Sequence, residues 1–132
     1  MFTREENLTP EEARAISPVV LAFIGDAVMS LYVREQLVLG SDYKTGELQS
    51  LAAARVSAKG QARQYGAVGD SFTEEEEAVF LRARNAKKAT RSKNATVAEY
   101  NLSTGFEAVI GYLYLTGRRE RAMELMGEPD EN

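Results

Sequence analysis

The 132-residue sequence predicts an all-α domain, and three observations carry that expectation. Only three prolines occur, at positions 10, 18 and 129, so proline breaks nothing between Val19 and Glu128. Two stretches, Thr9-Pro10-Glu11-Glu12 and Thr73-Glu74-Glu75-Glu76, have the hydroxyl-to-acid spacing of a capping box. Long apolar segments recur at helical intervals, with no alternating strand pattern, internal repeat or low-complexity tract. A chain of this length builds a single core, which makes residues 1–132 one domain.

The elements follow in order. Thr9 caps a short helix that Pro10 is pre-set to begin, and Ser17-Pro18 restarts the chain. A strongly apolar helix then runs from Val19 to about Leu39, with Leu21, Ile24, Val28, Leu31 and Glu35 at helical spacing, and Gly40-Ser41-Asp42 ends it. Lys44–Leu51 and Ala52–Gly66 read as one or two Ala-rich helices, with Gly46 and Gly60 as weak points. Thr73 starts the next helix, and Glu74 to Glu77 place four acids in its first turn, where the helix dipole favours them. That helix carries Val79, Phe80 and Leu81 and fades after Ala86. Thr90 to Asn94 reads as a loop, a last long helix spans about Thr96 to Thr116, and Arg118 to Met126 adds a terminal turn or helix.

Composition narrows the chemistry. The chain has no cysteine, histidine or tryptophan, which excludes thiol nucleophiles, disulfides, Cys/His zinc sites and any imidazole base. Hydrolysis would have to run on carboxylates, lysine, tyrosine, hydroxyls or an oxygen-held metal. No apolar run approaches the ~18 residues of a membrane span. The start, MFTREENLTP, lacks the character of a targeting segment, so a cytoplasmic protein without membrane contact is expected. The formal net charge of −4, from 16 basic and 20 acidic residues, argues on average against a nucleic-acid partner.

Three local features resist an ordinary reading. VVLAFIGDAVMSL, residues 19–31, holds one charge, Asp26; either that acid faces a polar pocket or Gly25-Asp26 breaks the helix and Asp26 caps its second half. NLSTGFEAVIGYLYLT, residues 101–116, holds one charge, Glu107, on a helix apolar nearly all round. An acid near a helix N-terminus is an ordinary alternative for Glu107. Two such acids on the two most apolar helices suggest a shared pocket that a hard cation such as Mg²⁺ would satisfy. Gly25, Gly105 and Gly111 remove bulk beside these acids and would let the two helices approach. The third feature is a change of charge sign. Residues 78–98 carry Arg82, Arg84, Lys87, Lys88, Arg91 and Lys93 without an acid, and 51–69 carry Arg55, Lys59 and Arg63, again without an acid. Asn85, Thr90, Ser92 and Asn94 interleave the first run with short polar donors of the kind that accompany phosphate contacts. The plain alternative is a solvated helix face. No aromatic lies between Arg82 and Asn94, which favours backbone or duplex recognition over single-strand stacking.

These residues resemble a known family. Ile24-Gly25-Asp26-Ala27-Val28, within LAFIGDAVMSLYVR, is similar to the signature helix of ribonuclease III catalytic domains. Phe106-Glu107-Ala108-Val109-Ile110-Gly111-Tyr112-Leu113-Tyr114-Leu115 is similar to that family's second acidic motif. The run RARNAKK from Arg82, Lys93-Asn94, Thr104-Gly105-Phe106-Glu107 and the lack of a double-stranded-RNA-binding domain bring the resemblance closest to the compact branch, Mini-ribonuclease III. It covers about Ser17 to Leu125.

The resemblance implies a homodimeric, Mg²⁺-dependent endoribonuclease acting on double-stranded RNA, with Asp26 and Glu107 as catalytic and metal-binding acids. Water activated by the metal would attack in line, leaving a 5′-phosphate and a 3′-hydroxyl. Lys59, Arg82, Arg84, Asn85, Lys87, Lys88, Arg91, Lys93 and Asn94 would grip the duplex. For this branch the substrate is precursor 23S ribosomal RNA, with a ribosomal protein as a candidate for presenting it. One departure stands out: the longer ribonucleases III have two further acids where this chain has Ala22 and Thr104, which leaves two of four acids and more room for metal-bound water. The helix around Asp26 is apolar on more faces than one core covers, so Val20, Phe23, Ala27, Met29 and Ser30 are candidates for a two-fold interface. A non-catalytic RNA-binding or ribosome-associated relative and an acidic protein-interaction module are the alternative readings.

Overall fold

Helices account for the whole regular structure of the described residues of this computed structural model, which are 6–40, 42–88 and 95–127. Seven α-helices follow one another: α1 Pro10–Arg14, α2 Pro18–Gly40, α3 Thr45–Val56, α4 Ala58–Val68, α5 Glu74–Asn85, α6 Val97–Leu115 and α7 Arg119–Met126. A single 3₁₀ turn, Gly69–Ser71, joins α4 to α5 and has no clear signal in the sequence. No helix among the described residues is long and apolar enough to cross a membrane.

The starts of the helices are chemical. Thr9, Thr73 and Thr96 each accept from the amide three residues on, and Glu12, Glu76 and Glu99 return a carboxylate to the cap amide, so three reciprocal capping boxes form. Ser57, accepting from the Gly60 amide, ends α3 and starts α4, which resolves the Ala-rich stretch into two helices. Helix α2 runs unbroken through Gly25-Asp26, so Asp26 sits in mid-helix and caps nothing.

Helix α6 is the axis of the domain. Every residue from Ser103 to Leu113 is buried except Glu107, which is half-buried, as expected for a helix apolar all round. Around it pack α2, α4, α5, α7 and α1. Leu21, Val28, Phe80, Phe106, Val109, Ile110, Leu113 and Leu125 form the principal core, and Val33, Leu37 and Ala52 form a smaller one between α2 and α3. Aromatic packing fills the space beside the 3₁₀ turn: Tyr65 stacks on Phe80 at 4.3 Å between centroids, and Phe72 meets Phe80 edge-on at 5.8 Å.

Two ion pairs lock the first turn of α5 onto the region of α7. Arg118 grips Glu75 with both nitrogens at 2.9 and 2.7 Å, and the Tyr112 hydroxyl donates to the same carboxylate. The Arg118 guanidinium pulls the Glu75 carboxyl down to about 2. Glu76 is 2 % exposed. Burial works to raise its pKa, but Arg121, bonding it at 2.9 Å, and the Thr73 amide outweigh that and leave the carboxyl below its ordinary range.

Two expectations are corrected here. Met29 is 3 % exposed and lies inside the principal core, because it falls on the α6-facing side of α2 beside Val28; it cannot line a surface between subunits. Gly105 does not serve the α2–α6 approach. Its missing Cβ is space taken by the Phe80 ring of α5, 2.6 Å from where that Cβ would lie.

Candidate active site

Gly25 and Gly111 build the site. A Cβ on Gly25 would lie 1.8 Å from the carbonyl oxygen of Glu107, and one on Gly111 would lie 2.1 Å from the carbonyl oxygen of Leu21. The two backbones therefore touch, and the crossing of α2 over α6 is fixed at the position where the sequence places its two isolated acids. Asp26, one residue past Gly25, is exposed, and its carboxylate lies close enough to that of Glu107 to act on its charge. Residues 81 positions apart thus share one small polar patch on the two most apolar helices.

The electrostatics of the site disfavour a charge on Glu107. Burial is the chief cause that pushes Glu107 up, to about 9; the neighbouring Asp26 carboxylate pushes in the same direction, and a donor on Gln61 opposes them. Among the described residues, no arginine or lysine forms an ion pair with either acid, and no third acid completes a cluster. Ala22 and Thr104 show why. Ala22 is buried, and the Thr104 hydroxyl is spent on the Tyr100 carbonyl at 3.0 Å.

Gln61 is the functional neighbour that sequence reasoning missed. It lies in the first turn of α4, is 2 % exposed, and donates from Nε2 to the Val56 carbonyl at 2.7 Å and to Glu107 Oε2 at 3.3 Å. Its Oε1 is buried and has no partner among the described residues. A lone glutamine on an Ala-rich helix looks solvated in sequence; only the fold buries it. Two neighbouring carboxyl groups with no arginine or lysine ion pair among the described residues are a hard oxygen donor set, which fits a divalent cation such as Mg²⁺.

The basic residues divide. Lys59, Arg82, Asn85 and Lys87 are exposed. Arg82 also donates to the Arg14 carbonyl at 3.1 Å. Arg84 is half-buried, bonds Asn85 Oδ1 at 3.1 Å and lies over the Phe80 ring at 5.9 Å, a cation–π contact. Lys88 is half-buried and folds back on its own chain: its ammonium donates to the Arg84 and Ala86 carbonyls at 2.9 and 2.7 Å, closing the end of α5, and burial lowers its pKa. Arg91, Lys93 and Asn94 lie outside the described residues. Of the interface candidates, Phe23 is 81 % exposed and Val20 54 %, Ala27 is exposed and Ser30 half-buried.

The family profile described as "Ribonuclease III domain" matches residues 19–118, and the chain belongs to the ribonuclease III family of endoribonucleases. The chain is 42 % identical over 121 residues to the Mini-ribonuclease 3 of Thermoanaerobacter sp. (strain X514), covering 92 % of this chain and 85 % of that one. It is 43 % identical over 115 residues to the Mini-ribonuclease 3 of Enterococcus faecalis, covering 86 % and 87 %. A crystal structure of a protein from Fusobacterium nucleatum superposes with a TM-score of 0.78 at 34 % identity, covering 86 % of this chain and 90 % of that one.

Proposed function

We propose that the protein is a Mg²⁺-dependent endoribonuclease that cleaves double-stranded RNA as a cytoplasmic homodimer and matures the ends of precursor 23S ribosomal RNA, with a ribosomal protein presenting the stem. The observation that carries this reading is the close crossing of α2 over α6 at Gly25 and Gly111, which brings the Asp26 carboxylate near enough to Glu107 to act on its charge. These two carboxylates would hold the cation. Bound there, a divalent cation supplies Lewis-acid chemistry, polarising phosphate oxygen and acidifying water. The chain's own part is to present two oxygen ligands from rigid helices and to supply no competing lysine or arginine ion pair. Water adds to phosphorus and the bond to the 3′-oxygen breaks, leaving a 5′-phosphate and a 3′-hydroxyl.

The test is direct. Incubated with a long RNA duplex, the protein is expected to cut it with Mg²⁺ and to leave it intact with chelator. Salt-sensitive binding without cleavage in any divalent cation would instead favour a non-catalytic RNA-binding relative, and neither binding nor cleavage a protein-interaction module.

The surface residues can be tested separately. Lys59→Ala, Arg82→Ala and Lys87→Ala should each weaken duplex binding and reduce the slope of log affinity against log salt by about 1, whereas Lys88→Ala should leave the slope unchanged. A Lys88 variant with the same loss of slope as the others would remove the distinction drawn between them. Phe23→Glu on the exposed face of α2 should convert a dimer into monomers in sedimentation velocity, since it puts a charge at the centre of an isologous apolar contact. A wild-type protein that sediments only as a monomer would exclude that interface.

A further inference from the structure

We propose that Gln61 is a positioning residue of the cation site, holding the Glu107 carboxylate in the orientation in which it and Asp26 can bind a divalent cation. The inference rests on the metal-dependent reading above and assigns a residue that the two acidic motifs do not contain.

The geometry has three parts. The Gln61 carboxamide is clamped: one N–H of Nε2 goes to the Val56 carbonyl at 2.7 Å, and the other to Glu107 Oε2 at 3.3 Å. Val56 is the last residue of α3, so its carbonyl is one of those that a helix C-terminus leaves without an internal partner. Gln61 thus ties the end of α3 and the carboxylate of α6 to the first turn of α4. Second, the orientation of the amide is determined by its neighbours. The Val56 carbonyl facing Nε2 at 2.7 Å can only accept, so a flipped amide would set oxygen against oxygen there. Third, that orientation leaves Oε1 buried and without a partner among the described residues, in a side chain 2 % exposed.

An unpartnered buried acceptor is costly, and a purely structural role does not require one. Three residues on, Gln64 fills such a structural role, since its Nε2 donates to the Leu125 carbonyl at 2.8 Å and joins α4 to α7. An apolar side chain at position 61 would fill the same space without the orphaned oxygen. What it would forfeit is the donor to the Val56 carbonyl and the donor to Glu107, and among the described residues no lysine or arginine forms an ion pair with that carboxylate in its place. Partners that orient a ligand carboxylate from outside the coordination sphere set metal affinity, and their loss lowers affinity or activity by about 10- to 100-fold.

The experiment compares Gln61→Met, which keeps the length of the side chain and removes the donor, with wild type and with Gln64→Met. Mn²⁺ binding to RNA-free protein is measured by calorimetry, alongside kcat and KM on an RNA duplex and the metal-free melting temperature. Gln61→Met is expected to raise the Mn²⁺ Kd about tenfold or more and to lower kcat, with KM for the duplex within about twofold. Gln64→Met is expected to lower the melting temperature and leave Mn²⁺ Kd and kcat unchanged. Should Gln61→Met be too unstable to assay, Gln61→Leu provides the same deletion with a stiffer apolar side chain. A Gln61 variant that is folded and binds Mn²⁺ with the wild-type Kd overturns the proposal, whatever its activity. A wild-type protein that neither binds Mn²⁺ nor cleaves fails at the parent reading, and the inference falls with it; a cleaving wild type with an unaffected Gln61 variant overturns this inference alone.

Discussion

Glu107→Gln is expected to abolish cleavage, by roughly a thousandfold or more, and at the same time to stabilise the metal-free protein at alkaline pH. The first effect removes one of two carboxylates from a site that has no third acid among the described residues. The second follows from linkage. Glu107 is raised from 4.5 to about 9 in the folded protein, so between those values the folded chain keeps a proton that the unfolded chain releases. Stability contributed by that proton is fully present below the unfolded value and is lost as pH rises through the folded one. Thermal unfolding in chelator should therefore show a midpoint that falls across the window from about 5 to about 9, and Glu107→Gln, neutral throughout, should flatten that fall. The same linkage makes cation affinity rise with pH over the window, because the cation competes with the proton on Glu107. Asp26→Asn should be equally inactive. Normal metal-dependent cleavage by either variant would remove these acids from the chemistry, and an unchanged pH slope in Glu107→Gln would remove the retained proton on Glu107.

Gly25→Ala should produce the largest loss of stability of any single methyl addition in α2. The new Cβ would lie 1.8 Å from a backbone oxygen of α6, and 2.7 and 2.9 Å from the Glu107 carbonyl carbon and the Gly111 amide nitrogen. None of these atoms is the end of a flexible side chain, so the helices themselves must separate. Overpacking of this kind costs about 3 kcal/mol or more, enough to lower the melting temperature by roughly 10 °C. Activity should fall further than stability, since a separation of α2 from α6 pulls Asp26 away from Glu107. Gly66→Ala is the internal control: nothing lies within 4 Å of its Cβ, and an alanine inside α4 should add about 0.5–1 kcal/mol. Equal melting temperatures for Gly25→Ala and wild type would contradict the close crossing.

Much of the fold is legible in the order of the residues. Capping boxes at Thr9 and Thr73 mark two helix starts, the absence of interior proline allows the long helices, and the all-round apolar character of 101–116 points to a central buried helix. The two acids are legible for the same reason: a charge on an apolar helix is expensive unless something compensates it, so each stands out without any knowledge of its neighbour. The face of α2 is less legible. With apolar residues on most sides, helical period alone does not tell the buried Met29 from the exposed Phe23.

The negative net charge is an average over sequence segments of opposite sign, and some of its acids are already committed: Glu75 and Glu76 are paired with Arg118 and Arg121. Among the basic residues the sequence counts charges but does not assign them. Lys88 and Lys87 are adjacent and chemically identical, yet one closes a helix and the other faces solvent, a difference set by which carbonyls are left unpaired at the end of α5.

Local physics, then, carries from residue order to helices, caps and isolated acids, because each of those depends on neighbours within about four positions along the chain. The meeting of Asp26 with Glu107, the glycine contact that places it, and the burial of Gln61 beside it depend on groups far apart in sequence. Only packing brings them together, and only packing decides which polar atom is left without a partner.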